Sequence, residues 1–411
     1  MVDLNEITCN RAQMLHSYAF ANFRSFLTRV EISFALTDKD AVNGWDRVSP
    51  QTSQRLTTVM AVMGANASGK TSLIQPLAFL AWFARHSFSL PPDAGVPLAP
   101  HFNGANVPSD FEVIADAPEP GTLLRYRLRA TLQYVLAESL EHKARRGQWR
   151  PIFDRQRTDG GRYKVTQDSF GLDPAQAEKV RANVSLISWA AQFNVPFANQ
   201  LLDFAISTNM FVGGRWWQPI DSAVHQCIQH YAENPALHQR LVALLGQWDL
   251  GLSGVELRQH DTPSPSGENK KQWLAFGVHP DGQDKTHLLP FMQESSGTKT
   301  AFALLTQFLP VLERGGIVAY DELDSDLHPH VMEALLDLFA GKDTNPHDAQ
   351  IIFTCHAAGV LRLLQKSQVM LVEKEGLDSE AWRLDSMEGV RSDENRVAKY
   401  LAGAYGAVPR L

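Results

Sequence analysis

The sequence predicts an α/β fold built on a mixed sheet, with a set of antiparallel strands and a helical insert between its two halves. Three observations predict it. Short apolar runs of strand length recur at Leu56–Met63, Ile317–Tyr320, Ile351–Thr354 and Val369–Glu373, and read as buried strands. Helical patterns follow the first two, over Ser72–Arg85 and His330–Ala340. Between the halves, residues 172–248 carry a helical pattern, and Asp110–Ala115 and Leu123–Ser139 alternate apolar with polar residues, the mark of antiparallel strands with one face in solvent.

Each element has a local reason. Met14–Phe34 mixes aromatic and β-branched residues with polar ones and predicts two short strands around a turn near Asn22–Ser25. Residues 37–55, 86–109 and 259–271 are polar or rich in Pro, Gly and Asn, so they read as loops. Trp273–Val278 and Thr286–Met292 read as strands, and Ser295 opens a helix to about Glu313.

Composition narrows the class. The 411 residues carry 38 basic and 45 acidic side chains, a net of −7, which excludes a uniformly basic nucleic-acid coat. Three scattered cysteines make no disulfide framework and point to a reducing cytosol. No apolar run reaches the roughly 18–20 residues of a membrane span, and the N-terminus lacks a signal-peptide pattern. A soluble cytoplasmic protein is expected.

The chemistry concentrates after the first apolar strand. Gly64-Ala65-Asn66-Ala67-Ser68-Gly69-Lys70-Thr71 matches G-x-x-x-x-G-K-[ST] between a strand and a helix that Ser72 begins. The glycines let backbone N–H groups curl toward phosphate oxygens, and the helix start adds partial positive charge. Lys70 reaches β- and γ-phosphates, and the Thr71 hydroxyl is a Mg²⁺ ligand. Ile317–Tyr320 ends in Asp321 and Glu322. Asp321 suits the Mg²⁺ shell, and Glu322 is placed to polarise an attacking water. Glu294-Ser295-Ser296-Gly297-Thr298-Lys299 precedes a helix and offers a second anion-binding turn, while His356 ends the run IIFTCH within reach of a γ-phosphate.

These motifs resemble those of ABC-type ATPases, in the branch shared by SMC-like repair ATPases and the OLD proteins. The resemblance covers roughly residues 14–140 and 272–411. It implies an ABC-type ATPase head, a P-loop NTPase with an antiparallel β-subdomain, acting on ATP with Mg²⁺. Asn22-Phe23-Arg24-Ser25-Phe26 is similar to the branch's opening turn, near which the nucleotide base lies, so Asn22 and Arg24 are implied contacts. Ser295, Gly297 and Lys299 fall at signature-loop positions, and His356 matches the switch histidine. The pattern departs at Glu294-Ser295-Ser296, where Leu-Ser-Gly is usual, and at Thr298, where Gln is usual. A Q-loop glutamine has no evident position. The resemblance also implies an ATP-dependent homodimer or higher oligomer, because the signature loop of one subunit closes over ATP held by another. The ending Tyr400–Pro409 looks like that of stand-alone ATPases of bacterial anti-phage systems, as in PARIS-like or RloA-type systems. It thereby implies a separately encoded TOPRIM-type nuclease or toxin as partner. An SMC-like repair or recombination ATPase acting directly on DNA is the alternative. About 55 residues follow His356, too few for a TOPRIM domain within this chain.

The expected organisation is therefore an N-terminal lobe over 1–142 with the phosphate loop, a basic strand segment and helical insert over 143–271, and a C-terminal lobe over 272–411. Residues 143–164 hold eight basic and two acidic side chains, a local +6. They read as a solvated strand meander with Trp149 and Phe153 inward, nucleic-acid binding being the sharper alternative. His328-Pro329-His330 reads as a turn into a helix rather than a metal site. Cys355 reads as a small apolar residue. Trp216 and Trp217 pack in the insert or at an interface.

Overall fold

The computed structural model describes residues 13–37, 40–211, 213–215, 219–248, 250–263, 269–282, 285–391 and 394–409. The chain divides into two compact units. One comprises Met1–Arg215, Val311–Leu323 and Leu338–Leu411; the other comprises Trp216–Pro310 and Asp324–Asp337. The architecture is mixed α/β.

The first unit is organised by a six-stranded sheet in the order Ile206–Thr208, Ile317–Tyr320, Gln350–Thr354, Val59–Gly64, Val369–Glu375, Asp378–Arg383. The first five strands run parallel, and Asp378–Arg383 closes the edge antiparallel to its neighbour. Its central strands are buried along most of their length, which explains why they read as continuous apolar runs without alternation. Helix Lys70–His86 leaves the strand Val59–Gly64. Its Leu73, Ile74, Leu77, Phe79 and Phe83 join Phe20 and Phe111 of the second sheet, and Phe23 of the turn Asn22–Ser25, in one core.

That second sheet has seven antiparallel strands, in the order Tyr163–Gln167, Arg150–Arg157, Val135–Ala144, Thr122–Ala130, Ser109–Asp116, Leu15–Ala21, Val30–Ser33. A separate apolar cluster forms where Leu140, Phe153 and Phe170 meet the short helices Leu186–Gln192 and Pro196–Leu202.

The second unit holds helices Ile220–Glu233 and Pro235–Gln247, a three-stranded sheet of Gly254–Pro263, Asn269–Pro280 and Thr286–Pro290, and helix Pro329–Asp337. Helix Ser296–Arg314 lies in this unit as far as Pro310. Tyr231 and Phe291 both pack on Phe302, with ring centroids 4.9 and 4.5 Å apart.

Several details differ from the sequence reading. Leu123–Ser139 is not one strand, because a turn at Thr131–Tyr134, closed by Thr131 N–H on Tyr134 O (2.9 Å), folds it into two. The helical stretch 172–248 contains the edge strand Ile206–Thr208. Loop 37–55 contains the strand Asp46–Val48, which pairs with Arg55–Thr57. Residues 259–263 and 269–271 are strand rather than loop; the run is polar in sequence, so no apolar alternation marks it. The basic strands 143–164 belong to the seven-stranded sheet of the first unit. Among the described residues, no helix is long and apolar enough to cross a membrane.

Candidate active site

The phosphate loop is bent by its own residues. Ala67 (φ 61°) and Gly69 (φ 110°) are both left-handed, and such backbone alternation turns successive N–H groups into one concavity. A β-carbon on Gly69 would lie 2.5 Å from Ser379 Oγ and 2.8 Å from Ser25 Oγ. One on Gly64 would collide with the Val372 carbonyl oxygen of the neighbouring strand. Both glycines are thus required sterically, one by conformation as well.

Lys70 is buried, and its Nζ donates to the carbonyl oxygens of Gly64 (3.0 Å) and Ala65 (2.9 Å). Ser68 Oγ is buried without a hydrogen-bond partner, an orphan donor inside the loop. Asn66 and Ala67 are exposed at its tip, and Thr71 and Ser72 open the helix half-buried.

The sheet order brings the acids to this loop. The strand Gln350–Thr354 lies between Val59–Gly64 and Ile317–Tyr320. Thr71 Oγ1 donates to both Asp321 carboxylate oxygens (3.1 and 3.0 Å). Thr354 Oγ1 donates to Asp321 Oδ1 (2.7 Å) and accepts the Glu322 N–H (2.7 Å). Asn209, just beyond the edge strand, donates from Nδ2 to Asp321 O (2.9 Å) and accepts the Asp321 N–H (2.8 Å). Glu322 itself is left-handed (φ 53°), a conformation that costs a non-glycine residue roughly 1–2 kcal/mol and persists where surrounding contacts over-determine it. Asp321 is buried and Glu322 half-buried.

The donor set suits a triphosphate with a small divalent cation. A hydroxyl and a carboxylate from different elements converge within 3.1 Å, and Mg²⁺ takes one or two such protein oxygens beside phosphate and water. Thr71 and Asp321 would hold the ion; the curled loop, Ser68 Oγ and Lys70 would meet phosphate oxygens. Among the described residues, no group of three or more His, Cys, Asp or Glu could hold a metal. His328 and His330 stand at the entry of helix Pro329–Asp337, where the His330 N–H donates to His328 Nδ1 (3.3 Å).

The turn Asn22–Ser25 is tied to the loop by the antiparallel edge strand. Ser379 Oγ lies 2.7 Å from Ser68 O and 2.8 Å from Ser25 Oγ, and the Ser379 N–H donates to Ser25 O (2.6 Å). Asn22 and Arg24 are left-handed (φ 52° and 56°). The Asn22 side chain is engaged inside the protein: Nδ2 donates to Gly104 O (2.9 Å) and Val107 O (2.6 Å), and Oδ1 accepts the His101 N–H (3.1 Å). Arg24 is half-buried, and burial draws its guanidinium below its usual pKa. His356 is exposed one residue past Cys355, which is fully buried and whose N–H donates to Val62 O (3.2 Å).

The turn Glu294–Lys299 belongs to the second unit. Ser295 is exposed, its Oγ 2.8 Å from Thr298 Oγ1 and accepting the Thr298 N–H (3.2 Å). Glu294 is buried against His279 (Oε1 to Nε2, 2.8 Å) and packs over Gly277, where a β-carbon would collide with Glu294 Oε1. Lys299 Nζ pairs with Asp221 (2.9 Å) and donates to Met292 O (3.2 Å).

The basic stretch is divided. Arg155 is completely buried against Glu138 (3.3 Å), with carbonyl partners at Val184 (2.6 Å) and Arg181 (2.8 Å). Arg157 covers Tyr134, and Trp149 lies under Arg125 and Lys143. Arg145, Arg146 and Arg150 are exposed around one hairpin turn. Phe153 is buried as expected, and Trp149 is half-buried. Trp216 and Trp217 lie outside the described residues.

Asn209, Thr354 and Ser379 escaped the sequence reading. Each is an ordinary polar residue beside a strand end, and only the strand order reveals what it touches.

Comparison with known proteins places this site in a family. A family model described as "AAA domain, putative AbiEii toxin, Type IV TA system" matches residues 59–198 and 237–362. No curated protein matches the sequence. Among solved structures, the chain is similar to an Smc head bound to the C-winged helix domain of ScpA (13% identity, 90% of this chain and 98% of that chain, TM-score 0.45). It is also similar to an Smc head with an extended coiled coil bound to the C-terminal domain of ScpA from Pyrococcus furiosus (11%, 91% and 97%, 0.44). A third is the Smc head with a coiled coil and joint from Pyrococcus yayanosii (10%, 95% and 99%, 0.43). The assignment rests on the family model, whose two matched segments take in the phosphate loop, both acids and Thr354 and span more than half of the sequence: the chain belongs to this AAA-domain family.

Proposed function

We propose that the chain hydrolyses ATP and uses the nucleotide to hold together an assembly of its own copies. The observation that carries this reading is the convergence of Thr71, Asp321, Thr354 and Glu322 beside the phosphate loop. Mg²⁺ held by Thr71 and Asp321 would neutralise phosphate charge. Lys70 exchanges its loop carbonyls for phosphate oxygens. The Glu322 carboxylate orients a water and takes its proton. His356 lies at the end of the neighbouring strand and acts toward the γ-phosphate.

Ser295, Gly297 and Lys299 form the signature turn. The exposed Ser295 hydroxyl and the start of helix Ser296–Arg314 serve the nucleotide of a second copy. Asn22 and Arg24 serve the base side, Asn22 by holding the turn that presents Arg24. Light scattering with ATP tests this. Glu322→Gln should convert monomers into stable dimers or larger assemblies, and adding Ser295→Arg should abolish them. Monomers of Glu322→Gln at saturating ATP would contradict the reading.

The assembly fits an ATPase subunit of a cytoplasmic bacterial anti-phage complex, holding a TOPRIM-type nuclease or toxin and releasing it on phage sensing. The family likeness of the motifs supports this role, as does the toxin–antitoxin wording of the family's description. Direct action on DNA is the second reading, favoured only by the exposed Arg145, Arg146 and Arg150. It predicts DNA binding with a steep salt dependence that falls when these three are replaced.

A further inference from the structure

The ladder between Ile206–Thr208 and Ile317–Tyr320 runs Ile206↔Ile317, Ser207↔Val318, Thr208↔Ala319 and then stops. The next residue, Asn209, is buried, and its side chain does what another strand residue would have done. Its carboxamide presents an N–H and a C=O, the two kinds of group a peptide offers, and takes both the C=O and the N–H of Asp321. On the other flank of the acid strand, Thr354 holds the Asp321 carboxylate and the Glu322 N–H, and its carbonyl accepts the Leu323 N–H (3.0 Å). The turn at Asp321–Leu323 is thus gripped from both neighbouring strands at the point where Glu322 goes left-handed.

We infer that Asn209 is a positioning residue for the acid pair. It fixes the Asp321 peptide so that the carboxylate meets Thr71 and the chain turns at Glu322; it does not itself touch nucleotide or water. A backbone-to-backbone ladder could not do this, because it would extend the strand and carry Glu322 onward in β conformation. Removing the carboxamide frees that peptide while leaving the phosphate loop's own bonds in place. The inference rests on the hydrolytic reading of the site. It is independent of any role for the signature turn.

The test uses the full chain with Asn209→Ala and Asn209→Asp, the second being isosteric but placing a carboxylate oxygen where the donor was. Hydrogen exchange of the peptide spanning 317–325 should speed up about tenfold or more in both variants, as a locally opened segment does. Affinity for a fluorescent ATP analogue should stay within about twofold. Turnover should fall about tenfold or more with KM nearly unchanged, the signature of misaligned catalytic groups. Wild-type exchange and turnover in both folded variants would overturn the inference; should Asn209→Ala fail to fold, Asn209→Asp decides. If Glu322→Gln turns over ATP like the wild type, the hydrolytic reading fails instead. The exchange rates then still judge the clamp.

Discussion

Replacing Thr354 by valine separates hydrogen bonding from packing at the acid pair. Valine has nearly the shape of threonine, so the buried volume is kept. Two bonds are lost: one to the ionised Asp321 carboxylate at 2.7 Å and one from the Glu322 N–H at 2.7 Å. A hydrogen bond to a charged group is worth about 1.5–3 kcal/mol, and a backbone donor left without its partner adds up to a similar amount. Thr71 still donates to Asp321, and Glu322 is half-exposed, so water recovers part of the loss. The expected destabilisation is about 2–3 kcal/mol. Urea unfolding followed by circular dichroism measures it, with the m-value compared to confirm that the same surface unfolds. Thr354→Ser, which keeps both bonds and loses one methyl group, should cost about 1 kcal/mol or less. The reasoning is refuted if valine costs under about 0.5 kcal/mol, or if serine is as damaging as valine.

Other outcomes follow from the same geometry. Gly69→Ala should abolish binding of a fluorescent ATP analogue, because the new β-carbon would press on Ser379 and Ser25 at a φ that suits glycine; wild-type affinity would contradict it. Arg155→Met should destabilise the chain by about 3–5 kcal/mol in thermal or urea unfolding, since it strands Glu138 in the core. That residue therefore belongs to the fold, not to any nucleic-acid surface. Burial pushes the Asp40 carboxyl up, but hydrogen bonds from Thr37 and Ser367 and the charge of Arg383 outweigh it and hold the group below its ordinary value. Its stabilisation is present above the ordinary carboxyl range and is lost as pH falls through the depressed folded-state value. Asp40→Asn should flatten the acid limb of a stability–pH curve, and an unchanged limb would contradict this.

The parts legible in the sequence were those carried by contiguous residues. The apolar run before Gly64, the two glycines, Lys70 and Thr71 form one segment, and its strand–loop–helix context follows from periodicity. Asp321 and Glu322 were legible for the same reason, as acids ending an apolar strand. Asn209 was not. Its role depends on an edge strand of three residues, Ile206–Thr208, too short to show within a helical stretch, and on a partner 112 positions away. Thr354 sat in a run whose final His356 drew attention, while its bonds depend on the strand order 317–320, 350–354, 59–64. Charge counting over 143–164 failed differently. Composition treats eight cations as one surface, yet strand geometry buries Arg155 and lays Arg157 on Tyr134. Trp273–Val278 was legible within the strand Asn269–Pro280, but its partner Gly254–Pro263 was not, because a polar stretch such as Arg258–Asp261 lacks the apolar signal that reveals a sheet.

Phosphate release from ATP with Mg²⁺ by the full chain, beside Lys70→Ala and Glu322→Gln, tests the central claim most directly. The account predicts steady release by the wild type and a loss of about 100-fold or more in both variants, with Glu322→Gln still binding ATP and Lys70→Ala binding it weakly. Equal release by all three proteins, or none from the wild type while it binds ATP, would contradict it.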